Sequence, residues 1–472
     1  FNKYCKFNVE VLTNLSSENE LIKIYKSFNI NKFHILQIKF KFLNLFIFCK
    51  SIFTFIFSIL KIKLYGETWF IKKFSLKKIY MGDLVYDNYI RFGHSYLNKS
   101  FFDKKFLKLL FISIYQFYFI DKLLNKNKYQ AVISGTHTYV SVSAISMRLA
   151  LKKNIKVINI ISNNLRIFKN YNASLRSELY MSKEIVKNLS RDKFWIRKYS
   201  IYFQNRLKGK ILYPTAKNAY KNKIDLKKKD IIKIFKNKNI NRLGVFAPHA
   251  FSDANHASGK FIFRDYFDQF KETIKILKND KNTLWLVKPH PSRHYYNEQG
   301  IVEREIKKLN SQNIVLCPEN ITPKSVIIAS DLFVTGRGTI GLEAACFGKK
   351  PIIAGETFYS HLGFTKNAKN LHHYKNLLYS KKQLLLTNKE IKIAQKAFYF
   401  MAFKNSSIKS QIFPITNFID INVTKKSIIQ QKIKVGDYLY NLNIRLKGKK
   451  IYQDNLYKNF KLKILTEFKK KK

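Results

Sequence analysis

The chain has 472 residues, 46% hydrophobic and 15% aromatic, which excludes a wholly disordered polymer and leaves length for more than one folded domain. Lysine and arginine number 88 against 30 aspartates and glutamates, a formal net charge of +58, so the surface field favours anionic partners such as nucleotides, acidic lipid headgroups or nucleic acid. Cys5, Cys49, Cys317 and Cys346 form no CxxC pair, which argues against a disulfide framework or a zinc site and fits a reducing compartment.

No charged, apolar and small-residue cleavage pattern opens the chain at Phe1, so no secretory leader is expected there. Residues 1–130 alternate apolar and lysine-rich text. Within them LNLFIFCKSIFTFIFSIL, at 43–60, is broken only by Lys50 and flanked by Lys41, Lys61 and Lys63. A spanning helix needs about 20 apolar residues, so this run is borderline; it reads as a buried helix, as a basic, aromatic-rich helix lying on an anionic leaflet, or as a true span. MGDLVYDNYIRFG, at 81–93, brings Gly82, Asp83, Asp87 and Arg91 together. Asp83 reads either as a helix cap or, with Asp87, Arg91 and His137, as part of a cleft wall where an acceptor hydroxyl needs a general base. From Ala131 the text sharpens: AVISG suits a buried strand, THTY a polar turn, VSVSAISMRLALKK a helix and IKVINII a second strand. That is a β-turn-α-β unit of a parallel sheet.

Between about 165 and 240 the sequence turns polar and basic, and the domain junction is placed there, at 235. Five short apolar runs follow: LGVFA (243–247), LWLV (284–287), NIVLC (313–317), LFVTG (332–336) and PIIAG (351–355). Between the first two, Phe263, Phe267, Phe270, Ile274 and Leu277 recur at helical spacing. Strands alternating with helices predict a second doubly wound domain. The tail after 400 is irregular and basic, ending in KKKK.

Three motifs fall where strands end, the place where open α/β sheets bind ligands. In Lys288-Pro289-His290-Pro291 the prolines hold Lys288 and His290 extended, making a stiff basic tip suited to an anion. In VTGRGTIGLEAACFG, at 334–348, a strand runs through Gly336-Arg337-Gly338-Thr339 into a helix. Glycines and open amides there admit a phosphate, Arg337 offers a planar fork, Thr339 is placed to cap the helix, and Glu343 is placed to accept from ribose hydroxyls. In VFAPHAFSDANH, at 245–256, His249, Ser252, Asp253 and His256 line the same cleft; without further ligands nearby a metal is not expected.

Together KPHP after a strand, TGRGTIGLEAACFGKKPIIAG and the two-domain rhythm resemble the capsule polysaccharide biosynthesis family, which includes the Kdo transferases of bacterial capsule and lipopolysaccharide assembly. His290-Pro291 matches that family's His-Pro motif, also found in bacterial sialyltransferases, which contacts the phosphate of the nucleotide-sugar donor. GLEAACFGKKPIIAG is similar to the glutamate-bearing donor-side helix of many GT-B glycosyltransferases, with Glu343 at the matching position. MGDLVYDNYIRFG and APHAFSDANH are similar to segments of uncharacterised surface-polysaccharide proteins. The resemblance covers about 243–365, and Arg337 and Thr339 stand where related enzymes often carry serines.

The resemblance implies an α/β fold of two Rossmann-like domains facing a cleft, GT-B-like: an acceptor-side domain over 1–235, a nucleotide-sugar domain over 236–400 and a basic extension over 401–472. It implies a metal-independent glycosyltransferase without a cofactor, moving a sugar from a nucleotide-sugar donor, CMP-Kdo-like, to a capsule, lipopolysaccharide or lipid-linked glycan. The site expected is Lys288, His290, Pro291, Arg337, Gly338, Thr339 and Glu343 around the donor, with Asp253, Asp83 and His249 as candidates for the base. A cytoplasmic protein, peripheral on the anionic inner membrane face, is expected. The alternatives are a nucleotide-sugar 2-epimerase, sharing the cleft, and a basic nucleic-acid-binding protein. Dispersed charge without an RNA or DNA module speaks against the last.

Overall fold

In the computed structural model the described residues are 8–13, 26, 30–36, 44–93, 101–135, 137–139, 141–161, 164–176, 179–189, 194–211, 219–235, 240 and 242–404. The tail expected beyond 404 lies outside them.

The chain is α/β. It begins with a parallel pair, β1 (Glu10–Thr13) and β2 (Lys32–Ile35), then a long helix, α1 (Leu45–Lys73), kinked at Gly66, whose φ of 81° only glycine adopts readily. A short hairpin, β3 (Ser75–Leu76) and β4 (Ile79–Tyr80), leads into α2 (Gly82–Gly93). Helix α3 (Lys104–Lys126) starts at Asp103, whose carboxylate accepts from Phe106 N at 2.7 Å. The expected β-turn-α-β unit follows: β5 (Ala131–Ser134), α4 (Ser141–Lys152) and β6 (Lys156–Ile161), with the strands parallel. β7 (Asn164–Phe168) then returns antiparallel, so this sheet has three strands.

Short helices α5 (Tyr171–Ser174) and α6 (Lys183–Asn188), then α7 (Trp195–Leu207) and α8 (Lys228–Ile234), lead to the second sheet. That sheet is formed by β8 (Arg242–Ala247), β9 (Thr283–Val287), β10 (Ile314–Leu316), β11 (Leu332–Thr335), β12 (Ile352–Ile353) and β13 (Lys366–Asn367), all parallel. Its helices are α9 (Tyr266–Lys278), α10 (Ile301–Leu309), α11 (Pro323–Ala329), α12 (Thr339–Cys346), α13 (Leu371–Leu378) and α14 (Asn388–Tyr399). The inner strands β8, β9, β11 and β12 are apolar and buried almost throughout, as a parallel sheet covered by helices demands, whereas the edge strand β13 is polar and exposed. Gly244 in β8 makes room for the Trp285 ring of β9, since a Cβ there would stand 2.4 Å from the ring.

The spatial order is β10-β9-β8-β11-β12-β13. The chain winds outward from β8 to β10, then crosses back to place β11 on the other side of β8. The carboxyl ends of β8 and β11 therefore flank the switch point where a crevice opens.

Helices α6, α7 and α8, which fall on the N-terminal side of the junction expected at 235, pack instead with elements of this second sheet. Trp195, Tyr199 and Phe203 of α7 share a buried cluster with Leu342, Tyr359 and Phe398, while Ile231 of α8 packs with Leu243 and Leu284. One apolar core runs from α1–α4 into β8, β9 and α9. Polar ties reinforce it along α2: Tyr86 Oη donates to Asp265 at 2.5 Å, Arg91 to Asp253 at 2.7 Å, and Asp87 accepts both the backbone N and Nδ1 of His256 at 2.8 and 2.7 Å.

Candidate functional site

At the switch point lies a cavity of about 450 Å³, within the usual range for small-molecule sites. Its floor is built from the ends of three neighbouring strands: Pro248 and His249 after β8, Lys288 to Pro291 after β9, and Gly338 and Thr339 after β11. The basic tip and the glycine turn, 47 residues apart between His290 and Arg337 in numbering, thus meet because their strands both border β8.

Each wall has a physical cause. Lys288 N still donates to Phe246 O at 2.9 Å, so the tip leaves the sheet only after Lys288. Lys288 Nζ rests 3.3 Å from Ile321 O and 3.7 Å from Cys317 Sγ. His290 Nδ1 accepts from Ser292 N at 3.2 Å, which assigns the ring proton to Nε2. Burial, and then the neighbouring His249, pushes His290 down to about 3, so it is a neutral donor rather than the cation an exposed histidine becomes in mild acid. His249 stacks between Tyr266 and His290, at ring distances of 4.4 and 5.0 Å, and burial lowers it too. Its Nδ1 faces Ala250 O at 3.4 Å and Asp253 Oδ2 at 3.9 Å, which leaves Nε2 as the acceptor nitrogen. Asp253 is held below the usual carboxylate range: burial raises it, but His249 and Arg91 outweigh that.

Helix α12 opens toward the cavity. Gly338, not Thr339, holds the N-cap, and no side chain caps the helix; Thr339 is its first residue. Gly338 O accepts from Tyr359 Oη at 2.6 Å, fixing the turn. A Cβ at Gly341 would stand 2.5 Å from that same hydroxyl oxygen, so the small residue permits the close approach. Uncapped first-turn amides beside a lysine make an anion-binding corner.

Several expectations change. Arg337 does not line the cavity. Its buried guanidinium donates to the backbone carbonyls of Asn255, Gly259 and Lys260 and lies over the Phe261 ring, clamping the 255–260 loop rather than a phosphate. Asp83 does not line it either. It is buried in a two-pronged pair with Arg148, at 2.7 and 2.5 Å; no acceptor hydroxyl reaches a carboxylate enclosed this way. Glu343 is in the wall, but its oxygens already accept from Arg206 at 2.9 and 2.6 Å and from Tyr220 Oη at 2.5 Å, so it braces the helix to α7 instead of reaching a ribose. Asp87, His256 and Arg91 are spent on the ties described above. His137 is exposed and stacked on Tyr139 at 5.0 Å, and Ser252 is buried, its amide donating to Glu298 at 2.7 Å.

The cavity also holds residues that sequence reasoning missed. Lys223 borders it, held below the usual lysine range by burial and by nearby Lys288. Arg293 and His294 follow the basic tip, and Arg293 is paired with Glu303 and Glu319, both at 2.5 Å. The run SRH after KPHP was a signal for these two; Lys223, one lysine in lysine-rich text, carried none. Among the described residues no group of three His, Cys, Asp or Glu could hold a metal ion.

No protein-family model matches the sequence, and no curated protein does. Among solved structures the chain is similar to Thermosulfurimonas dismutans KpsC, a beta Kdo 2,4 transferase, at 13% identity over 56% of this chain and 78% of that one, with a TM-score of 0.31. It is similar to a putative UDP-N-acetylglucosamine 2-epimerase from Listeria monocytogenes at 13% identity over 61% and 73% of the two chains, TM-score 0.24. The Methanocaldococcus jannaschii UDP-GlcNAc 2-epimerase aligns at 14% identity over 81% and 96%, TM-score 0.25.

Proposed function

We propose that the protein is a GT-B-type glycosyltransferase that binds a nucleotide-sugar in this cavity and transfers its sugar to a surface-glycan acceptor. The observation that carries the reading is the convergence of Lys288, Lys223, His290 and the uncapped start of α12 on one cavity at the switch point. Two ammonium groups, a neutral Nε2–H donor and helix amides suit a phosphate. As the glycosidic bond breaks, negative charge grows on the leaving phosphate, and donors already aimed there stabilise that charge more than the ground state. His249 is the base in this reading: Asp253 faces Nδ1 and steadies the imidazolium that forms as Nε2 takes the acceptor's proton. The cytoplasmic side, where nucleotide-sugars are made, is where such an enzyme would act.

The test is a thermal-shift panel of CMP, CDP, UDP and GDP with the wild type, Lys288→Ala and His290→Ala. One nucleotide should stabilise the wild type. Removing Lys288, a charge-assisted contact, should weaken that nucleotide about tenfold or more. Equal shifts with all four that survive both substitutions refute the donor site. A nucleotide-sugar epimerised without any acceptor would replace transfer by the 2-epimerase reading.

A further inference from the structure

Helix α1 is built inside out for a helix on a soluble protein. Ile47, Ser51, Thr54, Ser58 and Ile62 share its protein-facing side, and Ser51 and Ser58 are buried. The hydroxyls are satisfied locally: Ser51 and Ser58 donate to the carbonyls of Ile47 and Thr54 at 2.7 and 2.6 Å, and Thr54 Oγ1 lies 2.9 Å from Tyr118 Oη of α3. The outer side carries the large apolar residues. Phe46, Phe53, Ile56, Phe57, Leu60 and Leu64 are 51–75% exposed. Their spacing keeps them on one face, and a continuous apolar face of this kind marks an interaction surface.

The helix is apolar enough to cross a bilayer by length and composition, with a mean hydropathy of 2.0 and 22% of that window buried. Yet its inner side is packed against α3, so one side alone is available to lipid. No Asp or Glu lies in the stretch 45–66, whereas Lys50, Lys61 and Lys63 border the apolar face. Lys61 Nζ lies 5.2 Å from the Phe57 ring and Lys50 Nζ 4.9 Å from the Tyr118 ring, the posture of lysines whose stems run along apolar surface while their heads reach for water or headgroups. The charge decides the occupant. A second copy of the chain would bring lysine against lysine, and so would the lysine-rich 405–472 segment; an anionic bilayer complements both the apolar face and its basic border.

We infer that α1 lies flat on an anionic membrane, its Phe46–Leu64 face among the acyl chains and its lysines among the headgroups, and holds the protein at the bilayer surface. This goes beyond the nucleotide-sugar reading and does not depend on it.

The full chain is tested by flotation with vesicles of equimolar phosphatidylethanolamine and phosphatidylglycerol, against vesicles of phosphatidylcholine. The wild type should float with the anionic vesicles and far less with the neutral ones. Phe53→Ser/Phe57→Ser/Leu60→Ser should lower the anionic association about tenfold or more with an unchanged urea midpoint. A second variant, Phe53→Trp, adds an exposed reporter whose emission should shift to the blue and be quenched by brominated lipid. Equal flotation of the triple variant, or a tryptophan unmoved by vesicles, overturns the inference. So does a wild type that stays off vesicles but sediments as an oligomer that the triple variant dissolves, which assigns the face to a protein contact.

Discussion

Replacing Asp83 by asparagine separates an architectural carboxylate from a catalytic one. The side chains of Asp83 and Arg148 are 4% and 3% exposed. Arg148 Nη1 reaches Oδ1 at 2.7 Å and Nη2 reaches Oδ2 at 2.5 Å, while Nη1 also donates to Tyr80 O at 2.6 Å. Asparagine keeps the shape, but one of its two terminal atoms is a donor facing a guanidinium, and the cation loses its counter-charge in a dry site. Two charge-assisted bonds at about 1.5–3 kcal/mol each set the upper scale, and breaking one partner of a buried pair costs about 3–5 kcal/mol. A loss of about 4 kcal/mol is therefore expected, in a chain where α4, α2 and the β3–β4 hairpin meet at this pair. Urea unfolding followed by far-ultraviolet circular dichroism measures it. Asp83→Asn/Arg148→Met removes both charges and should recover a large part of the loss, because the residual penalty in the single variant is the unpaired cation. Nucleotide affinity of the folded single variant should match the wild type. A variant of unchanged midpoint that has lost transfer would refute this reasoning and return Asp83 to the chemistry.

Glu298 should make stability depend on pH. It accepts Phe251 N and Ser252 N at 2.8 and 2.7 Å, and burial pushes its carboxyl up to about 7. Because the folded value lies above the unfolded one, its contribution is complete below the ordinary glutamate range and is lost as pH rises through 7, roughly 3 kcal/mol in all. Glu298→Gln should be less stable in acid but should flatten the change in urea midpoint between about pH 5 and 8; an unchanged slope would count against it. His290, neutral down to about 3, predicts that affinity for a nucleoside diphosphate-sugar, measured by calorimetry, varies by less than about twofold between pH 8 and 5. A rise toward acid that His290→Gln abolishes would show a charged imidazole instead. Lys223, held low by burial and Lys288, should lose its proton before an ordinary lysine does. Nucleotide affinity should therefore fall on the alkaline side, and Lys223→Gln should bind more weakly without that fall.

What the sequence by itself determined was local. Prolines around Lys288 and His290 restrict their own backbones, glycines at 336, 338 and 341 mark a tight approach, and short apolar runs between polar turns mark buried parallel strands. These signals act within a few residues, and the strands of the second sheet and the start of α12 follow from them, whereas the two motifs meet only because β9 and β11 both pair with β8. Pairing was decided only by the tertiary structure. Asp83 finds Arg148 65 residues away, Glu343 finds Arg206 at a separation of 137, and Arg337 finds the Asn255 carbonyl 82 residues back. A residue's type states which bonds it can form, whereas the packing of distant elements decides whether a ligand or the protein itself receives them. The same reason hid Lys223, indistinguishable from its lysine neighbours until the fold set it beside Lys288. For α1 the sequence left a buried helix and one lying on a leaflet both open, and only the packing shows that its serines turn inward and its large apolar residues outward.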